Sequence, residues 1–300
     1  MKRTLMLLGT AVASACYAQS LGTFTVHGYS NPFLASAPNG STCCSGGYAT
    51  NPLDSAPAES PVRVTGFQPG DVLTFAVTGS MSYNGGTPTD PPDGKSGSNT
   101  TIGPGPKLLG PYGNFTITLG QYTGPFNALL GVFLAGRQPA TQPPALDFST
   151  GTGIGFTALA PQIGQVFFIG DGLTGTGTGR AQKFTAPVGA TTLYLGGADG
   201  YCYAGNTGVF SVTVTDTGNP AALALGPVYV NAQDATERLQ LNRSGNSFSL
   251  REGGQDFSGT WAVSGNVLRL HIAQLGKDVD IAIDGKRLIV NGVEIWVQPN

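Results

Sequence analysis

The tightest constraint on this chain is the spacing of its turn signals between residues 226 and 297. Ser244-Gly245-Asn246, Gly265-Asn266, Asp284-Gly285 and Asn291-Gly292 separate short runs rich in Val, Leu, Ile, Phe and Trp. Such runs are shorter than the roughly ten residues a packed helix needs, and long enough for strands. They predict antiparallel strands at roughly 226–231, 237–243, 247–252, 258–263, 267–272, 278–283, 287–290 and 293–297, joined by tight turns. A meander of about 80 residues buries only a modest core. It is therefore expected to close into a small barrel or to lean on a neighbour.

Upstream, the punctuation is glycine and proline. The 300 residues include 46 Gly and 21 Pro, and only 11% are charged, against roughly a quarter in ordinary soluble domains. Fifteen Phe and ten Tyr argue against a disordered chain. The glycines follow no strict period, which excludes collagen. A formal charge of -2 excludes a basic nucleic-acid binder. Residues 19–220 and the much shorter 221–300 carry 15 charged side chains each, and both Trp261 and Trp296 fall in the second part. The turn-rich Gly218-Asn219-Pro220 marks the boundary. Two all-β domains are expected, 19–220 and 221–300. In the first, 71–78, 191–195 and 209–215 read as strands. Phe210, Val212 and Val214 alternate with Ser211, Thr213 and Thr215, the pattern of a sheet with one buried face. Strands separated by Gly/Pro-rich stretches at 84–106, 135–146 and 170–180 fit a sandwich or jelly roll.

Residues 1–18 read as a signal peptide. Lys2 and Arg3 precede an apolar run at 4–15, then Ala13, Ala15 and Ala18 offer small residues for cleavage after Ala18. The run is too short for a membrane-spanning helix, which needs roughly 20 residues. Lipidation at Cys16 is the alternative. Secretion, or a periplasmic or cell-surface location, follows, and export permits disulfides. Three cysteines remain, Cys43, Cys44 and Cys202. One bridge leaves one thiol over, whether it joins Cys202 to Cys43 or Cys44 or links the adjacent pair.

Catalytic signatures are scarce. His27 and His271 are the only histidines, and no nucleophile elbow or zinc-protease motif occurs. Gly94-Lys95-Ser96 resembles the end of a phosphate loop, but Thr89 stands where a glycine is required and no helical pattern follows. Glu59, Asp90, Asp93, Asp147 and Asp171 lie mostly beside Gly or Pro, where Asp supports turns. A non-enzyme is expected. One constellation stands apart. Asp199 follows a strand and opens the polar loop DGYCYAGNTG, with Tyr201, Tyr203 and Asn206 ahead of the strand at 209–215. A carboxylate, an amide oxygen and loop carbonyls are hard donors of the kind calcium takes. A hairpin loop with Asx turns explains the same residues.

The segments FQPGDVLTFAVTGSMSY (67–83) and FTAPVGATTLYLGGADGYCYAGNTGVFSVTV (184–214) resemble the PA-IL-like, galactophilic bacterial lectin family. NPFLASAPNGST (31–42), SPVRVTG (60–66), LLGVFLAG (129–136), ALDFST (145–150) and FFIGDGLTG (167–175) resemble the wider group of exported bacterial proteins, many with PEP-CTERM sorting tails. Here the chain ends at Gln298-Pro299-Asn300 without such a tail. The resemblance covers most of 22–217. It implies a galactose-binding-like jelly roll holding one calcium ion that coordinates sugar hydroxyls. By position, Tyr83 and Tyr203 would offer backbone carbonyls, Asp199 a carboxylate and Asn206 its side-chain oxygen. Gly205 stands where the lectins have a second Asn, and the Pro-rich 87–106 replaces their sugar-contact stretch. The leading expectation is a secreted carbohydrate-binding protein, with Asp199, Tyr201, Tyr203 and Asn206 facing an extracellular glycan and calcium as cofactor. The rival is a structural or interaction protein of the cell surface or matrix without a small ligand.

Overall fold

A computed structural model describes residues 18–44, 53–104, 113–151, 153–200, 202–219, 225–242, 246–264, 267–284 and 286–299. The segment read as a signal peptide, Cys16 included, lies outside them except for Ala18, as does Tyr201. The protein is all-β, a jelly-roll sandwich followed by a closed antiparallel barrel. Helix is confined to two single 3₁₀ turns among the described residues, Pro32–Leu34 and Tyr203–Gly205. None is long and apolar enough to cross a membrane.

One sheet of the sandwich has five strands in the order Gln19–His27, Thr207–Asp216, Val72–Ser82, Lys183–Thr185 and Ala158–Leu159. The other has four, Val166–Phe168, Leu129–Leu134, Thr192–Gly197 and Val62–Val64. The alternation in 209–215 is realised as expected: Phe210, Val212 and Val214 are buried, and Ser211 is exposed. The strand read at 71–78 runs on to Ser82, because Thr207–Asp216 pairs with it along its whole length. Leu129–Leu134 is buried throughout, as a central strand covered on both faces must be. Phe167 from one sheet and Phe184 from the other bring their ring centroids within 5.6 Å, which locks the layers together. Gly131 makes room for this packing, since a methyl group there would sit 2.7 Å from the Phe167 ring.

The barrel strands are Val228–Asn231, Arg238–Asn242, Ser247–Glu252, Gln255–Ser264, Val267–Ile272, Lys277–Asp284, Arg287–Val290 and Glu294–Val297. Each pairs with the next, and Val230 opposite Val297 closes the ring. Period-two burial places Leu239, Leu241, Phe248, Leu250, Leu268 and Leu270 inside. The outer face carries the charge that sets this part of the sequence apart. Arg269–Asp280, Arg251–Asp256 and His271–Asp278 pair across neighbouring strands, exposed contacts that contribute little to stability. The sandwich and barrel cores are separate clusters. Asn219 bridges the two parts by donating its amide to the Val263 carbonyl at 3.1 Å.

Candidate functional site

Three strands stop together at one end of the sandwich. The register sets His27 opposite Val209 and Ser82 opposite Thr207. The loops at 28–31, 83–98 and 198–206 therefore gather there. They are stitched by backbone bonds from Gly28 N–H to the Gly208 carbonyl and from Gly85 N–H to the Gly205 carbonyl. Gly208 has φ 85°, and a methyl group on it would lie 2.2 Å from the Ser80 carbonyl oxygen. Gly208→Ala is expected to cost about 2 kcal/mol or more, from left-handed strain and a backbone clash. Urea unfolding checks this, and an unchanged midpoint would contradict the register.

Asn206 is buried and ties the loops together. Its Nδ2 donates to the Gly28 carbonyl at 3.2 Å, and its Oδ1 accepts the Asn84 N–H at 3.4 Å. Its own N–H donates to the Tyr203 carbonyl. The Tyr203 ring is fully buried, so it presents no face to a sugar. Instead its hydroxyl accepts the Asp199 N–H at 3.2 Å, and burial holds that hydroxyl well above the usual tyrosine range. Asp199 is itself buried. Tyr83 faces outward, with 41% of its surface exposed. Its ring meets Phe126 edge-on at 5.1 Å, with the Lys95 ammonium 5.0 Å from the centroid and donating to the hydroxyl at 3.4 Å. Gly94-Lys95-Ser96 thus serves to position an aromatic ring. The Tyr83 carbonyl accepts the Gly86 N–H. Nearby, Tyr29, also partly exposed, stacks on His27 with centroids 4.7 Å apart.

The residue that shapes the loop is one that sequence reasoning missed. Asp54 is 0% exposed and sits on the short strand Asp54–Ser55, paired with Thr42–Cys43. Its carboxylate accepts the N–H groups of Tyr203 at 2.9 Å and Ala204 at 3.0 Å, and the Asn31 Nδ2 at 3.0 Å. Burial pushes its pKa up to about 7 despite those donors. Cys43 and Cys44 are bridged to each other, and Cys202 keeps its thiol 3.8 Å from Asp54 Oδ1. Burial, with Asp54 second, holds that thiol above its ordinary value. No local signal singles out Asp54, since the loop N–H groups it accepts, from Tyr203 and Ala204, lie 149 and 150 residues along the chain.

The remaining carboxylates of the first domain act as turn and loop acceptors. Asp147 Oδ1 accepts from the Ser149 N–H and hydroxyl, Asp171 from Leu173 and Gly177 N–H, and Glu59 from Ser55. No group of three or more His, Cys, Asp or Glu side chains suited to a metal occurs among the described residues. Comparison with family models, with curated proteins and with solved structures found no match.

Proposed function

We propose that this chain is an exported, non-catalytic carbohydrate-binding protein that takes an extracellular glycan at the Tyr83 end of its sandwich. The observation that carries this reading is the exposed Tyr83 ring, fixed by Phe126 and Lys95 one residue from the Asn84–Asn206 contact. Sugars are held by an aromatic face together with a few placed polar groups, and a pre-set ring lowers the entropy lost on binding. The stacking role expected of Tyr203 passes to Tyr83.

The family resemblance adds calcium. Asp199, Asn206 and the Tyr83 and Tyr203 carbonyls would hold it. This donor set is all oxygen, as calcium requires. The Asn84 N–H bond to Asn206 Oδ1 is long at 3.4 Å, so that oxygen is lightly engaged. The two carbonyls each accept one N–H and keep a second lone pair. A single carboxylate supplies little charge, which points to the weak end of the calcium range. Bound there, calcium would offer open coordination positions to sugar hydroxyls. Thermal unfolding of the mature protein in excess calcium and in chelator tests this. At 100 times its dissociation constant the ion adds roughly 2.7 kcal/mol, a rise of a few degrees that Asp199→Ala should abolish. No rise would remove calcium from the reading and leave a metal-free glycan site.

A second reading is a structural or interaction protein of the cell surface without a small ligand. The internal engagement of Asn206 and of both carbonyls favours it. A panel of soluble glycans that shift neither the unfolding midpoint nor Tyr83 fluorescence would select it.

A further inference from the structure

The barrel contains a cavity of about 210 Å³, lined by Leu250, Leu270, Ile281, Leu288 and Trp296 among others. Among the described residues, Glu252 and Asn291 are the polar ones of its lining. Both sit where strands Ser247–Glu252 and Arg287–Val290 run out into turns, so the polar lining is confined to one mouth. That mouth is formed by the turns at 253–254, 273–276 and 291–293. Two of these turns carry the most exposed large apolar side chains of the barrel, Leu275 at 55% and Val293 at 77%. The turns hold both outward. Leu275 and Gly276 donate to the Ile272 carbonyl, and Val293 donates to the Val290 carbonyl. The opposite end of the barrel, at Asn246, Trp261 and Val263, faces a polar cleft shared with Gln68, Asp71 and Asp216 of the sandwich. The apolar opening therefore points away from the sandwich and from the Tyr83 loops.

From the joint placement of an apolar interior and an apolar lip we infer that the barrel binds the apolar tail of a small neutral molecule, inserted through the Leu275–Val293 mouth. An apolar cavity of about 150 Å³ stays dry and accepts benzene, so this one takes a ring or a short alkyl chain. It lies below the roughly 300 Å³ of sites that enclose drug-sized ligands, so any head group stays outside. Charge at this end of the barrel is mainly acidic. Its turns and strand ends carry Asp234, Glu237, Glu252, Asp256 and Asp278 against Arg238, Arg251 and Lys277, so a carboxylate head is disfavoured and a hydroxyl or other uncharged head accepted. The tail can come from a free molecule or from a membrane lipid.

The test is isothermal titration of the full chain with the neutral ligand 1-hexanol and, separately, with hexanoate. One saturable site is expected, with hexanol binding more tightly than hexanoate. Val279→Phe, which places a ring in the cavity, should weaken binding at least tenfold. Leu275→Glu should weaken it severalfold, and because Leu275 is exposed this variant keeps the fold. Circular dichroism melts confirm that both variants remain folded. If Val279→Phe does not fold, Leu275→Glu alone decides. Absence of saturable binding, equal binding by the folded variants, or preference for hexanoate would overturn the inference. Sedimentation with phosphatidylcholine vesicles separates the sources. Vesicle binding lost in Leu275→Glu assigns the tail to a membrane lipid, and hexanol binding without vesicle binding assigns it to a free molecule.

Discussion

Asp54→Ala is expected to destabilise the protein by on the order of 3–6 kcal/mol at pH 5. The substitution removes the acceptor of three buried or part-buried donors, the Tyr203 and Ala204 N–H groups and the Asn31 amide. Leaving each unsatisfied costs roughly 1–3 kcal/mol. That is a large part of the 5–15 kcal/mol typical of a folded domain. Urea unfolding measures it, and a loss under about 1 kcal/mol would show that the loop does not depend on this carboxylate. A local readout accompanies it. Cys202 is part-buried beside Asp54, so release of the loop should speed its labelling by a thiol reagent. The penalty should be smaller at pH 8, where the native protein already bears the ionised, buried Asp54.

Stability of the whole chain is expected to fall as pH rises from 4 to 8. Burial, the dominant cause in both groups, raises Asp54 and Asp71 from 3.8 to about 7. Asp71 is raised further by its neighbour Asp216. The folded state therefore holds protons that the unfolded chain releases near pH 4. The stability these groups supply is fully present below pH 3.8 and is lost as pH rises through about 7. A shift of this size in Asp54 corresponds to roughly 4 kcal/mol. Asp147, Asp234 and Asp280 are lowered, by hydrogen bonds to Ser149, Thr236 and Arg269 respectively. They act in the opposite sense, but they are fully exposed and change only the acid limb. Thermal melts across the range check the slope. Asp71→Asn should flatten it and raise the midpoint at pH 8, because the like-charge contact with Asp216 disappears. A midpoint that climbs from pH 4 to 8 would contradict this account.

The barrel was the most legible part of the chain. Its turn residues announce themselves: Asn246 and Asn291 adopt φ near +50°, the conformation that Asn tolerates and other side chains avoid. Strand bounds there fall within three residues of those read from the sequence. Closure into a barrel was one of two expected outcomes, and it depends on Val228–Asn231 meeting Glu294–Val297, a pairing that no local pattern encodes. In the sandwich, period-two alternation located Thr207–Asp216, while short strands such as Ala158–Leu159 and Asp54–Ser55 carry too few residues to show a period. The loop site was half legible. The residues at 199–206 were singled out, and the fold does bring Asn206 to the turn after Ser82. The roles within the site needed three dimensions. Tyr203 turns inward, Tyr83 turns outward, and the carboxylate that organises the loop is Asp54. The linkage of three cysteines had several solutions on paper. The adjacent pair is the one realised, with Cys202 left beside Asp54.

A glycan-array screen of the protein, run in parallel with Tyr83→Ala and Tyr83→Phe, tests glycan recognition most directly. Tyr83 lies outside the hydrophobic core and is partly exposed, so neither substitution should unfold the protein. The account predicts saturable binding to a restricted set of glycans, at least tenfold weaker with Ala and largely kept with Phe, which retains the stacking face. No binding to any glycan, or binding indifferent to Tyr83→Ala, would contradict it.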